Sequence, residues 1–139
     1  MSHNLSTLRQ QLRELQQQLP SLLEAFLGRE PLLPGSVYTL RRRCGKSTCH
    51  CAQGEPHAST VLSYRGQGRP QNITPPSEQI PAVQKLTDDY RQFRLARTQL
   101  LRLQRQVLDL IDGIEALRVQ EGERRFQKLR SSFPSHSWR

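Results

Sequence analysis

The feature that most constrains this fold is a run of apolar residues near the C-terminus, spaced alternately three and four positions apart. It follows Phe93 and comprises Ala96, Leu100, Leu103, Val107, Leu110, Ile114 and Leu117. This spacing puts all of them on one face of a helix, as in the seam of a coiled coil. A helix of some 40 residues needs tertiary support, so we expect it to pack on the first helix, a second copy of itself, or both.

The same alternation occurs at the N-terminus. Its members are Leu5, Leu8, Leu12, Leu15, Leu19, Leu22 and Phe26. Ser2 or Asn4 is placed to cap the start of this helix, and Gly28 to end it. Pro20 interrupts the run, so the sequence predicts either a kink there or a second short helix with Pro20 in its first turn.

The middle of the chain changes character. Val37–Leu40, Thr60–Tyr64 and Gln71–Thr74 are short strand candidates, and Arg65–Arg69 holds two glycines typical of a turn. The simplest interpretation is an antiparallel meander of three strands, with a cysteine-containing loop between the first and second.

Together these segments predict an α+β fold that is mostly α. We expect an N-terminal amphipathic helix over residues 1–29, a Cys/His β-meander module over 30–76, a long coiled-coil-like heptad helix over 77–122, and a basic, flexible tail over 123–139. Only 35% of the chain is apolar and 6% is aromatic, which argues against one large globular core.

Three cysteines within eight residues carry the clearest chemistry. Cys44, Cys49 and Cys51 are followed by His57, and three thiolates with one imidazole form a common structural zinc set. His50 competes as the fourth ligand. A closed set leaves no open coordination position, so we expect a structural rather than a catalytic zinc.

Other interpretations of the loop remain open. The three cysteines could be reduced thiols, or one disulfide with a spare, although an odd number of cysteines disfavours disulfides. Nearby cations could also activate a nucleophilic thiol, but no positioned base is evident in the sequence. We therefore expect a protein that is not an enzyme.

Charge indicates the class of partner. The chain has 21 Lys and Arg against 12 Asp and Glu, a net charge of +9. Such an excess favours a polyanion, either nucleic acid or an anionic membrane surface. No apolar run approaches the roughly 18 residues of a spanning helix. No signal-peptide pattern begins the chain, so we expect a cytoplasmic protein that does not engage the membrane.

The cations concentrate beside the cysteines, where Glu55 is the one acid between Gly35 and Thr74. Those predicted to contact nucleic acid are Arg41, Arg42, Arg43, Lys46, Arg65 and Arg69. Further arginines occur along the long helix, where a solvated face and a nucleic-acid contact explain them equally well. They are Arg91, Arg94, Arg97, Arg102 and Arg105.

The cysteine segment resembles a family of small uncharacterised prokaryotic proteins. The residues that carry the resemblance are Arg43-Cys44-Gly45-Lys46, Cys49-His50-Cys51-Ala52, Gly54 and His57, within a match over about residues 36–120. The resemblance implies a shared Cys/His site and a genomic setting near transposases and mobile elements, but no activity. The chain departs from the family at Ala58-Ser59-Thr60, where Gly-Pro and aromatic residues are usual.

The function predicted is a non-enzymatic nucleic-acid-binding accessory protein linked to a mobile element, with DNA favoured over RNA. Its helices would form a homodimer or a hetero-complex. The predicted contacts are Leu100, Leu103, Val107, Leu110, Ile114 and Leu117. The alternative is a protein adaptor that binds a transposase or recombinase through these helices.

Overall fold

The fold is mostly helical, and along the chain a small sheet follows the first helix and precedes the second. The computed structural model describes residues 4–135. In chain order the main elements are helix α1 (Leu5–Leu27), strands β1 (Gly35–Arg42), β2 (His57–Arg65) and β3 (Pro70–Ile73), and helix α2 (Ile80–Arg130), with 3₁₀ turns at His50–Ala52 and Ser77–Gln79. The predicted fold class is confirmed.

The chain divides into two compact units. The helical unit combines the chain up to Glu24 with the chain from Thr98 onward, and the sheet unit spans Ala25–Arg97. The helical unit therefore contains most of α1 and the later part of α2. The sheet unit contains all three strands and the cysteine loop.

The sheet is the antiparallel meander that the sequence predicts, in the order β1, β2, β3. The β1–β2 ladder runs from Gly35 opposite Tyr64 to Arg42 opposite His57. Because β2 is the central strand, Val61 and Leu62 at its middle are both buried. Adjacent strand residues point to opposite faces, so both faces of the sheet are covered there.

Other contacts in the sheet unit join α2 to the end of α1 and to the connection before β1. Leu33, in the connection before β1, donates its backbone N–H to the carbonyl oxygen of Leu86 at 3.2 Å. The rings of Phe26 and Phe93 meet edge to face with centroids 5.1 Å apart. Thr87 of α2 is buried, and its hydroxyl donates a hydrogen bond to the Gln84 carbonyl of the same helix, so its polar group is satisfied inside the protein.

Helix α1 begins with a side-chain cap and ends at Leu27, immediately before Gly28 as predicted. Asn4 Oδ1 accepts a hydrogen bond from the Thr7 backbone N–H at 2.7 Å, while the other predicted cap, Ser2, lies outside the described residues. The helix continues through Pro20 as one element, without the predicted second helix. An interior proline costs about 3 kcal/mol, and half-buried Leu19 and Leu22 on either side offset this cost by packing.

The core of the helical unit is thin. Among its described residues only Leu8 and Leu103 are fully buried, each 6% exposed. The Leu8 side chain packs close to the backbone of Gly113, where a Cβ atom would lie 3.2 Å from Leu8 Cδ1. The remaining leucines of the N-terminal seam are half-buried, including Leu12 and Leu15.

Helix α2 continues eight residues beyond Gly122, where the sequence predicts its end. A single interior glycine costs only about 1 kcal/mol relative to alanine. Glu121 lies 2.9 Å from Arg124 and 3.2 Å from Arg125 across one turn, which supports the helix over this stretch. Within residues 4–135, no helix is long and apolar enough to cross a membrane.

Candidate metal centre

The cysteine loop begins where β1 ends. Cys44 lies two residues beyond the last residue of that strand, and Gly45 follows with a φ of +82°. Residues that carry a Cβ atom rarely adopt this left-handed backbone conformation, so glycine is the residue that allows the chain to turn here. The turn brings the chain back toward the Cys44 thiol.

Backbone hydrogen bonds between residues three positions apart shape the rest of the loop. The Cys49 N–H donates to the Lys46 carbonyl at 3.2 Å, and the Ala52 N–H donates to the Cys49 carbonyl at 3.1 Å. The latter belongs to the 3₁₀ turn His50–Ala52, which places Cys51 in the interior at 1% exposure. His57 enters from the other side as the first residue of β2.

The four predicted ligands meet in one cluster. The donor atoms of Cys44, Cys49, Cys51 and His57 all lie within 4.8 Å of one another. The Cys44 and Cys51 sulfurs are 3.5 Å apart, and Cys49 Sγ lies 3.2 Å from His57 Nε2. Tetrahedral zinc with Zn–S bonds of about 2.3 Å separates its ligands by about 3.8 Å, so the cluster matches a metal such as zinc.

The geometry also separates the two histidines. His57 contributes its Nε2 atom to the cluster, whereas His50 lies beside it, with Nδ1 3.8 Å from Cys49 Sγ. The two rings stack edge to face at 5.1 Å. Of the two fourth ligands that the sequence leaves open, the structure groups His57 with the cysteines.

All three cysteines are free thiols, so the disulfide alternative does not describe this structure. Their protonation differs. A hydrogen bond with the backbone of Lys46, followed by bonds with His57, Cys51 and Cys49, lowers the pKa of the Cys44 thiol to about 6. Its thiolate, the form that binds metal, is therefore favoured at neutral pH.

The other two donors shift the opposite way. Cys51 accepts a hydrogen bond from the Cys44 backbone N–H, which lowers its pKa, but burial and the two neighbouring thiols raise the pKa of Cys51 overall. Hydrogen bonds with Cys44 and then Cys49 raise the pKa of His57. Because both pKa values are raised, protons compete more strongly with a metal for Cys51 and His57.

The predicted basic residues lie at both ends of the sheet, because Arg65 is eight residues along β2 from His57, about 26 Å at 3.3 Å per residue. Arg41 and Arg42 occupy the last two ladder positions of β1, and Lys46 lies in the loop. Arg65 ends β2 and Arg69 lies in the turn before β3. All five are exposed to solvent.

Arg43 has a local partner that sequence reasoning missed. Its guanidinium NH1 donates a hydrogen bond to the carbonyl oxygen of Cys51. The side chain therefore braces the loop behind a metal-ligand candidate, while remaining exposed. No spacing rule predicts this bond, because it spans the loop and ends on a backbone atom.

The residues predicted to bind a partner helix are mostly turned toward the chain itself. Leu103 is buried, and the other five are half-buried; they are Leu100, Val107, Leu110, Ile114 and Leu117. Sequence reasoning missed a second apolar set on α2 that is exposed, comprising Leu101, Leu108, Ile111, Val119, Phe126 and Leu129. Its signal is the seven-residue interval from Leu101 to Leu108 and from Val119 to Phe126.

Comparison with known proteins identifies a family for this chain. Residues 5–85, more than half of the chain, match the model of a Domain of unknown function (DUF6788). The chain belongs to this family. The match contains α1, the whole sheet and the four clustered donors, so the candidate metal centre lies inside the DUF6788 domain. No curated protein and no solved structure matches the chain.

Proposed function

We propose that this DUF6788 protein is a non-enzymatic, DNA-binding accessory protein whose basic sheet module is stabilised by a structural zinc ion. Its helices would self-associate. The observation that carries the proposal is the meeting of Cys44, Cys49, Cys51 and His57 at the end of a strand pair, beside exposed Arg41 and Arg42.

The donor set supports zinc in particular. Three thiolates and an imidazole are soft to borderline ligands, which zinc prefers over the carboxylate and carbonyl oxygens typical of magnesium and calcium sites. Four protein ligands complete a tetrahedron, so the ion would have no position for substrate or activated water. Zinc would therefore connect the end of β1, the loop and the start of β2.

The charge of the sheet module supports a nucleic-acid partner. Between Gly35 and Thr74 the chain has six cations and one acid, Glu55, and all seven side chains are exposed. Five of the cations are arginines, whose guanidinium groups pair with phosphate in two parallel hydrogen bonds. Such a surface would bind the phosphate backbone first, with affinity that falls steeply as salt rises.

The resemblance noted in the sequence bears on the biological setting. A family encoded near transposases suggests DNA of a mobile element, in the cytoplasm, as the natural target. We accordingly favour DNA over RNA and a role in transposition.

Binding of a labelled DNA duplex, measured by fluorescence anisotropy across a salt series, tests the proposal. We expect the double variant Arg41→Ala with Arg42→Ala to weaken binding at least about tenfold and to reduce the salt slope. The matched control is Arg9→Ala with Arg13→Ala, which removes the same charge from exposed positions of α1. Binding that is insensitive to salt, or equally weakened by both double variants, would overturn the proposal.

A second candidate function rests on the exposed apolar side chains near the end of α2. Val119 is 51% exposed, Phe126 48% and Leu129 60%. A face of this kind suits an adaptor that docks a partner protein such as a transposase or recombinase. Under this alternative Phe126→Glu abolishes the partner complex, whereas Arg41→Ala with Arg42→Ala leaves it intact.

A further inference from the structure

We propose that a second copy of the chain docks antiparallel on the outer face of α2, which we define as Leu101, Leu108 and Ile111. The inference rests on the proposed self-association and names its surface and orientation. It also relocates the interface, because the residues predicted from the heptad spacing lie largely within the chain.

The helical unit fully buries few of the apolar side chains that lie between its two helices. Only Leu8 and Leu103 are fully buried among its described residues. Helices are stabilised in proteins mainly by packing of an apolar face rather than by intrinsic propensity. Two such pairs packed together would form a four-helix bundle, in which the half-buried leucines gain neighbours from the second copy.

The outer face has the shape of a packing surface. Leu101 is 52% exposed, Leu108 59% and Ile111 43%. At 3.6 residues per turn these three side chains lie within a sector of about 80° on one side of the helix. Leu108 and Ile111 are adjacent on successive turns, and Leu101 lies two turns before Leu108 in the same sector, with exposed Gln104 between them.

An open apolar groove adjoins the outer face within the same unit. It has a cavity volume of about 590 Å³, and its apolar lining comprises Leu12, Leu15, Leu19, Leu103, Val107 and Leu108. Leu108 belongs to both the groove and the outer face. Large side chains from a facing helix would fill the groove as knobs fill holes in a helical bundle.

Charge complementarity selects the occupant and its direction. Arg102 and Arg105 precede Asp109 and Asp112 on one flank of the outer face, and all four are exposed. None of the four makes an ion pair with another residue in the described range 4–135. A surface with separated basic and acidic blocks is complementary to a reversed copy of itself.

The positions of the four charges define the pairing. In an antiparallel pair of α2 helices centred near residue 107, Arg102 faces Asp112 and Arg105 faces Asp109 of the other copy. That centre falls between Leu101 and Ile111, so the outer faces of the two copies overlap. In a parallel, in-register pair the two-fold axis would place the charged flanks of the two copies on opposite sides of the interface, so these four charges would not pair.

Sedimentation equilibrium of the full chain tests the surface. We expect a dimer, and we expect Leu108→Glu with Ile111→Glu to raise the dimer dissociation constant at least about 100-fold, because four large apolar side chains leave the interface. The matched control, Leu23→Glu, alters a leucine of α1 that is 39% exposed and should leave the dimer intact. If the double variant stays dimeric, the inference fails while self-association stands. A monomeric wild-type chain overturns both.

A charge exchange tests the direction and avoids any loss of helix packing. We expect Arg102→Asp to weaken the dimer about tenfold at low salt, because two Arg–Asp pairs become Asp–Asp pairs. Adding Asp112→Arg should restore the dissociation constant to within about threefold, since the exchanged charges face each other again. In a parallel dimer neither change has this effect, so absence of loss and rescue overturns the antiparallel arrangement.

Discussion

The sheet unit and the helical unit hold their folds in different ways. The sheet unit has two hydrogen-bonded ladders, buried Val61 and Leu62, and four metal-ligand candidates at one end. The helical unit has a single seam with two fully buried leucines. The sheet unit is therefore suited to stabilisation by a small ion, and the helical unit to stabilisation by another protein surface.

Removing one metal ligand should have the largest effect, and it should destabilise the sheet unit while the helical unit keeps its structure. In Cys51→Ser we expect loss of stoichiometric zinc and a cost of several kcal/mol to the sheet unit, because structural zinc binding is coupled to folding. Peptides covering β1, β2 and β3 should lose protection in hydrogen exchange measured by mass spectrometry. Peptides from the helical unit, such as those after Thr98, should keep theirs.

The matched control for this change is His50→Ala. His50 neighbours the cluster without belonging to it, so the variant should retain zinc and the protection of the sheet. Cys51→Ser protein that retains full zinc and full protection would contradict the metal-centre interpretation.

A cavity in the helical unit should have a smaller effect. Leu103→Ala removes one of the two fully buried leucines there, and we expect it to lower the free energy of unfolding by about 2–5 kcal/mol. Urea denaturation followed by circular dichroism at fixed protein concentration measures the loss. Leu23→Ala, at a more exposed position of α1, should cost under about 1 kcal/mol. Equal losses for the two variants would contradict the buried role of Leu103.

The smallest effect concerns protonation of the sheet unit without metal. Since the pKa of Cys44 is lowered to about 6, its thiolate forms as pH rises through about 6. In zinc-depleted protein we expect iodoacetamide to label Cys44 first, at a rate that rises between about pH 5 and 7.

Cys51 provides the internal comparison for that experiment, because its pKa is raised and its side chain is buried. It should be labelled last, and zinc should protect both cysteines. Mass spectrometry of the labelled peptides distinguishes them, and faster labelling of Cys51 than of Cys44 would contradict the assignment.

Periodicity and residue chemistry made most of the fold predictable. The alternation of three and four positions located both helices, and the strand and turn residues located the meander. The ligand set was predictable because thiols and imidazoles within a short loop have few other uses together. The choice of His57 over His50 required coordinates, since both lie close to the cysteines in sequence.

The sequence was less informative where energies are small or partners distant. Gly122 and Pro20 are helix-breaking signals, yet α2 continues through Gly122 beside the ion pair of Glu121, and α1 continues through Pro20 despite its larger cost. A heptad seam shows which face is buried but not what buries it, so the sequence leaves open whether the first helix or a partner covers Leu103, which is buried within the chain. The bond from Arg43 to the Cys51 carbonyl depends on the folded loop and has no sequence pattern.

The position of His57 on β2 has a consequence for strand alignment. His57 pairs with Arg42 at the end of the β1–β2 ladder, and Arg42 precedes Cys44 by two residues. Because side chains alternate between the faces of a strand, a slip of one residue would turn this imidazole to the opposite face. An ion held by Cys44 and His57 would also close the long connection between the strands, whose closure otherwise opposes hairpin formation entropically. Metal binding would thus select one alignment of the hairpin and favour its early formation during folding.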